Sequence, residues 1–252
     1  MDDPRTLFDL TGRTACVTGA SGGLGRQAAT ALAAAGANVV GVARRAAALH
    51  DWQSLTGSQA AIVAADLTTA DMGELVERIC RPFGAPDILV HAAGINTREP
   101  ADQVTPEGWQ LTLDLNLSVP FFLSQALVPA MQDRGWGRIV NFASLQSSRA
   151  FPGGIAYGTT KAGLVQMTRA MAEAWSHDGI TANAIGPGFF PTDLTAPVFA
   201  DPERADRNAA QTCIGRNGRL DDIDGPLVFL CSEASAYVTG QLLMVDGGYT
   251  AK

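Results

Sequence analysis

The chain has 252 residues, of which 46% are apolar, and its 18 Lys and Arg against 25 Asp and Glu give a formal net charge of −7. This composition is typical of a globular protein with a substantial core and excludes a disordered chain. An acidic chain is poorly suited to a phosphate backbone. We therefore expect a small-molecule substrate and no nucleic-acid partner.

The sequence carries no signal for export or for membrane insertion. The N-terminal Met-Asp-Asp-Pro-Arg is acidic and is followed by no apolar segment of the kind found in secretory signals. No run approaches eighteen apolar residues, so we expect a cytoplasmic protein without a membrane span. Because Cys16, Cys80, Cys213 and Cys231 form no CxxC pair or Cys/His cluster, we expect reduced thiols and no metal site.

Short β-type runs alternate with longer helical patterns along the whole chain. The predicted strands are 13–18, 38–43, 60–65, 87–91, 138–143, 180–186 and 241–245. The predicted helices lie near 24–36, 71–82, 105–133, 157–177 and 221–232. This alternation predicts an α/β fold, in which residues 1–252 form a single Rossmann-type domain. We expect a doubly wound, mainly parallel seven-stranded sheet with helices on both faces.

The first predicted strand ends in a glycine-rich loop that leads into a helix. The general GxGxxG/A pattern fits from Gly23, but that glycine lies five residues past the strand. The pattern TGxxxGxG, with its first glycine at Gly19, places the tight turn where the strand stops, and we favour it. Such a loop gathers backbone N–H groups and the positive end of a helix dipole, which together bind a pyrophosphate. The residues predicted to hold the cofactor here are Gly19, Ser21, Gly23, Leu24 and Gly25.

The end of the second strand predicts which nicotinamide cofactor is used. An acidic residue there would hold the adenosine ribose and select NAD. Ala43 stands in that place and Arg44 follows it, and a guanidinium suits a 2′-phosphate. We therefore expect NADP(H) to be preferred over NAD(H), with a solvated basic pair as the alternative. Asp66 and Leu67 close the third strand, where a carboxylate can accept a hydrogen bond from the adenine amino group.

Tyr157 and Lys161 are four residues apart on one face of a predicted helix, so their side chains meet. An ammonium beside a phenol favours the phenolate and lowers the tyrosine pKa from its usual value of about 10. Such a tyrosine can give a proton to a carbonyl or take one from an alcohol. The same spacing also occurs on solvated helix faces, so its significance depends on the glycine loop upstream.

Residues 187–218 depart from the alternation of strand and helix, beginning with Pro187-Gly188 and containing three further prolines, Pro191, Pro197 and Pro202. We expect this excursion to form a lid over the site, although an ordinary surface insertion remains the alternative.

Taken together, these motifs resemble the short-chain dehydrogenase/reductase family over essentially the whole chain. The motifs at family spacing are the loop from Gly19, Asp66-Leu67, Asn116, Ser144, Tyr157, Lys161, Pro187-Gly188, Thr192 and the closing Val245-Asp246-Gly247-Gly248.

The resemblance implies a role for each of these residues. Tyr157 would be the general acid/base, and Lys161 would lower its pKa and bind the nicotinamide ribose. Ser144 would hydrogen-bond the reacting oxygen, and Asn116 would hold a water that links Lys161 to solvent. The nicotinamide would exchange the hydride. Ala93 and Gly94 would allow its close approach, and its carboxamide would be held by Pro187, Gly188 and Thr192.

Two positions depart from the family pattern. His91 replaces the first residue of the usual Asn-Asn-Ala-Gly, and we expect it to be a core histidine rather than an acid or base. Gly22 stands where many NADP-using members carry a basic residue, so phosphate recognition would depend mainly on Arg44.

The substrate is indicated less directly. Substrate contacts are expected from 94–98, 145–155 and 187–212. Arg98 resembles an arginine of the sugar-acid branch of the family, which includes gluconate 5-dehydrogenase and 2-deoxy-D-gluconate 3-dehydrogenase. Arg149 is a second cation near the active-site loop, so both arginines, with Ser144 and Tyr157, are candidate substrate residues. Surface ion pairs are the alternative for either arginine.

The resemblance leaves two other functions open and implies an assembly. A 3-oxoacyl-(acyl-carrier-protein) reductase shares the same catalytic residues, but a chain of charge −7 gives no support for an acidic carrier. A catalytically silent NADP-binding regulator is the non-enzyme alternative, and four intact catalytic positions argue against it. By analogy with the family we expect a homotetramer, with helices 105–133 and 157–177 at its faces.

Overall fold

Seven strands form one fully parallel sheet in the computed structural model, which describes residues 4–252 apart from the side chain of Arg5. The strand order is β3-β2-β1-β4-β5-β6-β7. The strands are β1 (Thr14–Thr18), β2 (Asn38–Ala43), β3 (Ala60–Ala64), β4 (Ile88–His91), β5 (Gly137–Phe142), β6 (Ile180–Pro187) and β7 (Leu242–Val245). The predicted doubly wound, Rossmann-type α/β fold is confirmed.

Nine α-helices connect and cover the strands within the described residues. They are α1 (Gly23–Ala34), α2 (Ala46–Thr56), α3 (Met72–Cys80), α4 (Pro106–Leu113), α5 (Val119–Arg134), α6 (Ile155–Trp175), α7 (Ala196–Phe199), α8 (Pro202–Gln211) and α9 (Asp224–Cys231). A π-helical turn, Asp114–Ser118, joins α4 to α5 and makes one long helical stretch.

Three helices were missing from the sequence prediction, namely α2, α7 and α8, and none of them carries a long apolar stripe. The helix α7 has only four residues. The helix α2 buries only Leu49 and Trp52, so its helical period is weak. The helix α8 buries no residue at all and belongs to the 187–218 excursion. It begins with Pro202, and the side chain of Asp201 accepts a hydrogen bond from the Arg204 N–H at 3.1 Å.

Each face of the sheet is covered by its own apolar cluster. Helices α1, α2 and α9 pack on one face and α3, α5 and α6 on the other. Successive strand residues alternate between the two clusters, so Ala15 and Val17 face one and Cys16 faces the other. Because both faces of this parallel sheet are buried, we look for functional side chains in the loops at the ends of the strands.

The order of the strands fixes where a ligand cleft opens. Strands β1 and β4 are neighbours, but the chain leaves β1 toward β2 and leaves β4 toward β5. The helices that follow them therefore lie on opposite faces, and a crevice opens beyond the carboxyl ends of the two strands. The glycine loop follows β1 and Ala93-Gly94 follow β4, so both meet at this crevice.

One helical stretch among the described residues, Pro106–Arg134, has the length and apolar character of a membrane span. It buries 44% of its most apolar window inside the protein, and Leu123, Leu127 and Met131 lie in the core. Because a core helix passes the same test, this stretch is weak evidence for a span.

The cysteines, all four of which lie among the described residues, are free thiols. Cys16 and Cys231 are buried, and burial raises the pKa of Cys16 to about 12, so this thiol stays protonated. No group of three or more His, Cys, Asp or Glu side chains within residues 4–252 is arranged to hold a metal ion.

Candidate active site

A cavity of about 710 Å³ opens at the carboxyl edge of the sheet, between the strand-end loops and the 187–218 excursion. Of the predicted site residues, Asn116 and Arg149 are not among those that line it. Those that line it are Gly19, Ser21, Gly23, Leu24, Gly25, Arg44, Asp66, Leu67, Ala93, Gly94, Arg98, Ser144, Tyr157, Lys161, Pro187, Gly188 and Thr192. The fold therefore gathers residues from six strand ends around one space.

Two glycines of the glycine loop, Gly19 and Gly25, pack so closely against backbone that a side chain would not fit there. Gly19 has a φ of +75°, and a Cβ there would lie 2.8 Å from the amide nitrogen of Ala93. A Cβ on Gly25 would collide with the carbonyl oxygen of Gly19. Since β1 ends at Thr18, the tight turn falls at Gly19, as the TGxxxGxG register predicts. The helix α1 begins at Gly23, so its free N–H groups and its positive dipole end face the cavity.

At the adenosine end of the cavity, Arg44 lies beside Asp66. The Arg44 guanidinium is 3.8 Å from the Asp66 carboxylate, and both side chains are well exposed. Asp66 accepts hydrogen bonds from the Thr68 backbone N–H at 3.0 Å and from its hydroxyl at 2.7 Å. These two bonds, more than the neighbouring guanidinium, lower the pKa of Asp66. The carboxylate is thus fixed by Thr68, and Arg44 is free to bind another anion.

Tyr157 and Lys161 lie in the first two turns of α6, and both are buried. The Tyr157 phenol lies beside Ser144, which follows β5 and lowers the pKa of the phenol. The Oγ of Ser144 accepts a hydrogen bond from the Gln146 N–H at 3.1 Å. The Lys161 ammonium donates to the carbonyl oxygen of Phe142 at 2.7 Å and lies 5.6 Å from the centre of the Tyr157 ring. The structure thus brings Ser144, Tyr157 and Lys161 together at the edge of one cavity.

The pKa of Tyr157 departs from the sequence expectation. Burial raises it above its usual value, while Ser144 and the charge of Arg98 lower it. The Lys161 ammonium donates to Phe142 and not to the phenol, and Lys161 is not among the groups that shift this pKa in the structure. Burial also lowers the pKa of Lys161 to about 8. Tyr157 is therefore a protonated phenol at neutral pH, as a proton donor to a carbonyl must be.

Asn116 lies directly behind the cavity wall, in the π-helical turn. Its Oδ1 accepts from the Ile95 N–H and its Nδ2 donates to the Ile95 carbonyl, both at 2.9 Å. Nδ2 also donates to the hydroxyl of Thr160, 3.1 Å away. A Cβ on Gly94 would lie 3.2 Å from Asn116 Oδ1 and 3.6 Å from Lys161 Nζ. Asn116 therefore holds the loop after β4 against α6, next to the ammonium.

The two arginines predicted for the substrate occupy different places. Arg98 lines the cavity and donates to the carbonyl of Leu194, in the excursion, at 2.6 Å. It is the one non-glycine residue with positive φ, +56°, within the described chain. Such backbone strain concentrates at functional sites. The Arg149 guanidinium instead donates to the carbonyls of Thr250 and Lys252, at 3.3 and 3.0 Å. These bonds hold the Arg149 guanidinium against the C-terminal segment, away from the cavity.

His91 is buried between β4 and α5. Its Nε2 lies 2.9 Å from the Ser124 hydroxyl, which itself donates to the Pro120 carbonyl. Since the single hydroxyl proton is already used, Nε2 is the donor. Nδ1 is buried without a hydrogen-bond partner, which favours the neutral imidazole, because a protonated ring would need an acceptor there. Burial lowers the pKa of His91 to about 3, which agrees with this assignment. The position is that of a core histidine, as the sequence analysis expects.

Several residues lining the cavity were not named by the sequence analysis. Arg45 joins the adenosine end, and α8 adds Arg204 and Asn208 at the substrate end. Phe151 and Phe189, which fall in the ranges 145–155 and 187–212 expected to contact the substrate, also line the cavity. Their rings and that of Tyr249 pack against one another, with centroids 5.6 to 6.4 Å apart. The basic pair after β2 was a visible signal for Arg45. For the α8 residues the only signal was their place within the expected lid.

Comparison with known proteins identifies the family. A family model described as enoyl-(acyl carrier protein) reductase matches residues 19–250. Gluconate 5-dehydrogenase of Gluconobacter oxydans is 40% identical over 248 residues, which cover 97% of both chains. The 3-oxoacyl-(acyl-carrier-protein) reductase of Escherichia coli is 37% identical over 244 residues, covering 96% of this chain and 98% of the other.

A solved structure shares the fold in detail. The crystal structure of a gluconate 5-dehydrogenase from Burkholderia cenocepacia, in complex with NADP and tartrate, superposes with a TM-score of 0.91. The two sequences are 35% identical, and the alignment covers 98% of each chain. With the loop from Gly19 and the Ser144, Tyr157 and Lys161 group in place, this chain belongs to the short-chain dehydrogenase/reductase family and is an oxidoreductase acting on a CH–OH group.

Proposed function

We propose that this protein interconverts a secondary alcohol and a ketone on a sugar acid or a similar polar acid, with NADP(H) as the hydride carrier. One observation carries the proposal. Ser144 and Tyr157 are neighbours that can both contact a reacting oxygen, and they share their cavity with the guanidinium of Arg98, which suits a carboxylate. A single substrate that carries both a hydroxyl and a carboxylate satisfies both groups.

Tyr157 and Ser144 have different roles at the reacting oxygen. In reduction, Tyr157 donates its proton to the carbonyl oxygen, and in oxidation it accepts the proton of the alcohol. Ser144 hydrogen-bonds the same oxygen and stabilises the charge that develops on it. Lys161 places a positive charge beside the phenol. Asn116, bonded to Ile95 and Thr160, holds the loop against Lys161 and positions a water that returns the proton from solvent.

The glycine cradle fits a dinucleotide. Gly19, Gly25 and Gly94 allow the backbone to approach a bound pyrophosphate and a nicotinamide closely, and each is a position where a Cβ would meet neighbouring atoms. Asp66 and Leu67 would face the adenine, while Pro187, Gly188 and Thr192 would hold the carboxamide. The nicotinamide, when bound, supplies or accepts the hydride.

Preference for NADP(H) over NAD(H) is part of the proposal. It is supported by Ala43 in place of an acid at the end of β2, and by Arg44, whose guanidinium makes a long contact of 3.8 Å with Asp66. The Burkholderia relative was solved with NADP, which supports NADP use in this chain as well.

A sugar acid as substrate is supported by the relatives and by Arg98. Gluconate 5-dehydrogenases are among the most similar proteins, and one of them holds tartrate, a hydroxy acid. In this chain Arg98 is tethered through the Leu194 carbonyl, so its guanidinium is already oriented toward the cavity.

A 3-oxoacyl-(acyl-carrier-protein) reductase is the second candidate. The rings of Phe151 and Phe189 line the cavity and give part of it an apolar wall, which would suit an acyl chain. A relative with that activity is 37% identical, only slightly less than the gluconate 5-dehydrogenase relative.

A substrate panel separates the two candidates. The purified protein is offered gluconate, a 2-keto-3-deoxy sugar acid, galactitol and a 3-oxoacyl thioester, each with NADP or NAD in the matching redox state, and nicotinamide absorbance is followed. We expect turnover of a sugar acid with NADP(H) and little with the thioester. Turnover of the thioester alone would establish the second candidate. Equal catalytic efficiency with NAD and NADP would remove the preference.

We propose two further properties of the whole protein. Residues 187–218 form a lid, a proposal supported by the contacts of Leu194 and Asp193 with residues across the cavity. The chain is a cytoplasmic homotetramer, and the assembly is supported by exposed apolar side chains on α5 and α6, namely Phe122 and Ile155. Sedimentation of the purified protein tests the tetramer, and limited proteolysis with and without NADP tests the lid.

A further inference from the structure

The helix α8 borders the substrate end of the cavity, although it buries no side chain in the core. Of its ten described residues, Arg204 and Asn208 alone line the cavity. Because these two residues are four apart, their side chains lie on the same face of the helix. The excursion therefore presents a guanidinium and an amide to the substrate, and it does so from a helix that core packing does not require.

Polar contacts along α8 fix the direction of this face. In the first turn, the carboxylate of Asp201 accepts a hydrogen bond from the Arg204 N–H at 3.1 Å. In the middle of the helix, the Asn217 amide donates to the carbonyl of Ala205 at 2.9 Å. The backbone on both sides of Arg204 is thus held, so the side chain points to the cavity because of the fold.

The guanidinium of Arg204 has no counter-charge within the part of the chain that the structure describes. Its backbone N–H is bonded to Asp201, but its side chain forms no hydrogen bond or ion pair with any described residue. The other arginine of α8, Arg207, pairs with Glu203 at 3.5 Å and does not line the cavity. An unpaired guanidinium at the edge of a cavity is suited to an anionic ligand.

Acidic side chains of the cavity do not supply the missing charge. Among the described residues, two carboxylates line the cavity, those of Asp66 and Asp193. Asp66 lies 3.8 Å from Arg44, and Asp193 lies 2.9 Å from Arg45. Both carboxylates are therefore next to the basic pair at the adenosine end. The substrate end has two guanidinium groups and, within the described chain, no carboxylate.

These two guanidinium groups come from different elements, Arg98 from the loop after β4 and Arg204 from α8. Arg98 is already oriented, since it donates to the Leu194 carbonyl at 2.6 Å. A substrate with one carboxylate neutralises one of the two cations and leaves the other unmatched. A substrate with two anionic groups matches both, and each contact is a charge-assisted hydrogen bond.

We infer that Arg204 and Asn208 form a second anion site, and that the preferred substrate is a sugar acid with an anionic group at each end. The inference rests on the proposed function, in which Arg98 holds one carboxylate, and narrows its substrate class. The second group is a carboxylate or a phosphate. Arg204 supplies the charge, and the Asn208 amide donates a hydrogen bond to the same group. The bound substrate then connects the loop after β4 to the excursion.

Calorimetric titration of the NADPH-loaded protein tests the inference without turnover, because the reduced cofactor cannot oxidise an alcohol. The ligands are gluconate, with one carboxylate, glucarate, with two, and 6-phosphogluconate, with a carboxylate and a phosphate. Wild type should bind at least one of the two dianionic acids about 10-fold or more tightly than gluconate, since a charge-assisted contact is added. Tighter binding of glucarate alone identifies a second carboxylate, and tighter binding of 6-phosphogluconate alone identifies a phosphate.

Arg204→Gln should abolish this preference and leave gluconate within about 3-fold of its wild-type affinity, because only the second anionic group loses its partner. Asn208→Ala should reduce the preference by a smaller factor, about 3-fold, as expected for one neutral donor. Arg207→Gln is the matched control, since it removes the same charge from the same helix outside the cavity. It should change no affinity. Urea unfolding of each variant checks that the fold is kept.

Equal wild-type affinities for the three acids would overturn the inference and leave the proposed sugar-acid activity standing. A similar loss for all three acids in Arg204→Gln would also overturn it, because the two arginines would then share one carboxylate. The same loss of preference in Arg207→Gln would assign the effect to the net charge of the helix and contradict the site. If none of the three acids binds, the proposed function itself fails, and the inference fails with it.

Discussion

The ammonium of Lys161 donates to the backbone carbonyl of Phe142, at 2.7 Å, and not to the phenol of Tyr157. This bond anchors α6 to the end of β5 and holds a charge in a buried position. Burial lowers the pKa of Lys161 from 10.5 to about 8. The free energy of unfolding therefore depends on whether Lys161 is protonated.

The first prediction concerns stability in alkaline solution. Between pH 8 and 10.5 the unfolded chain binds the Lys161 proton more tightly than the folded chain, so this group makes stability rise with pH. Its contribution should increase by about 2 kcal/mol from pH 7.5 to 9.5. The difference in unfolding free energy between wild type and Lys161→Met, measured in urea at both pH values, should show this increase. Lys252→Met, at an exposed position, is the control, and an unchanged difference for Lys161→Met would contradict the assignment.

A second prediction concerns acid. The folded pKa of His91 is about 3 and its ordinary value is 6.5, so stability should fall as pH drops through 6.5 toward 3. From pH 7.5 to pH 5 the loss from this residue should be about 2 kcal/mol. His91→Asn should remove that part of the acid sensitivity in urea unfolding, while the exposed His50→Asn should not. Identical pH dependence in wild type and His91→Asn would mean that His91 is not a buried neutral imidazole.

A third prediction is that Gly19 cannot be replaced, mainly because it packs against the backbone that follows β4 and only secondarily because its φ is positive. Gly19→Ala should cost several kcal/mol of stability and abolish NADP binding, because its Cβ would lie 2.8 Å from the Ala93 nitrogen. Gly57 has a similar φ of +85° but no atom within 4 Å of a Cβ. Gly57→Ala should therefore cost only about 1 kcal/mol and leave NADP binding intact. Comparable losses in the two variants, by urea unfolding and calorimetry, would refute the close-approach argument.

Much of this fold follows from local pattern. Strand β2 lies at Asn38–Ala43, as predicted, because apolar and β-branched residues bounded by polar ones indicate a buried strand wherever they occur. The helix α2 was missed because tertiary contacts of Leu49 and Trp52, rather than a long apolar stripe, stabilise it.

The site was predictable only in part. The glycine loop and the Tyr157–Lys161 pair are short patterns whose geometry follows from one turn or one helix. In contrast, Arg45 and Asp193 are 148 residues apart and meet only through the fold. Arg98 and Arg149 were equivalent candidates in the sequence. The C-terminal segment distinguishes them, because its backbone oxygens accept the hydrogen bonds of the Arg149 guanidinium.

Arg98 is predicted to determine which substrates are accepted. Arg98→Gln should lower kcat/KM for a sugar acid about 10- to 100-fold, mainly through KM, because a charge-assisted contact to the carboxylate is lost. An uncharged polyol such as galactitol should be affected much less. Arg149→Gln, which lies outside the cavity, is the matched control and should leave both substrates unchanged. An equal loss for acid and polyol in Arg98→Gln would show that Arg98 supports the loop rather than the carboxylate.

The central claim, that the Tyr157 phenol transfers the proton, is tested most directly by Tyr157→Phe. The single oxygen atom is removed from a buried ring, so the fold and the glycine cradle should remain. NADP binding, measured by calorimetry, should stay within about 3-fold of wild type, while kcat with the best substrate of the panel falls about 10²- to 10⁴-fold. Turnover near the wild-type rate, with NADP still bound, would contradict the account.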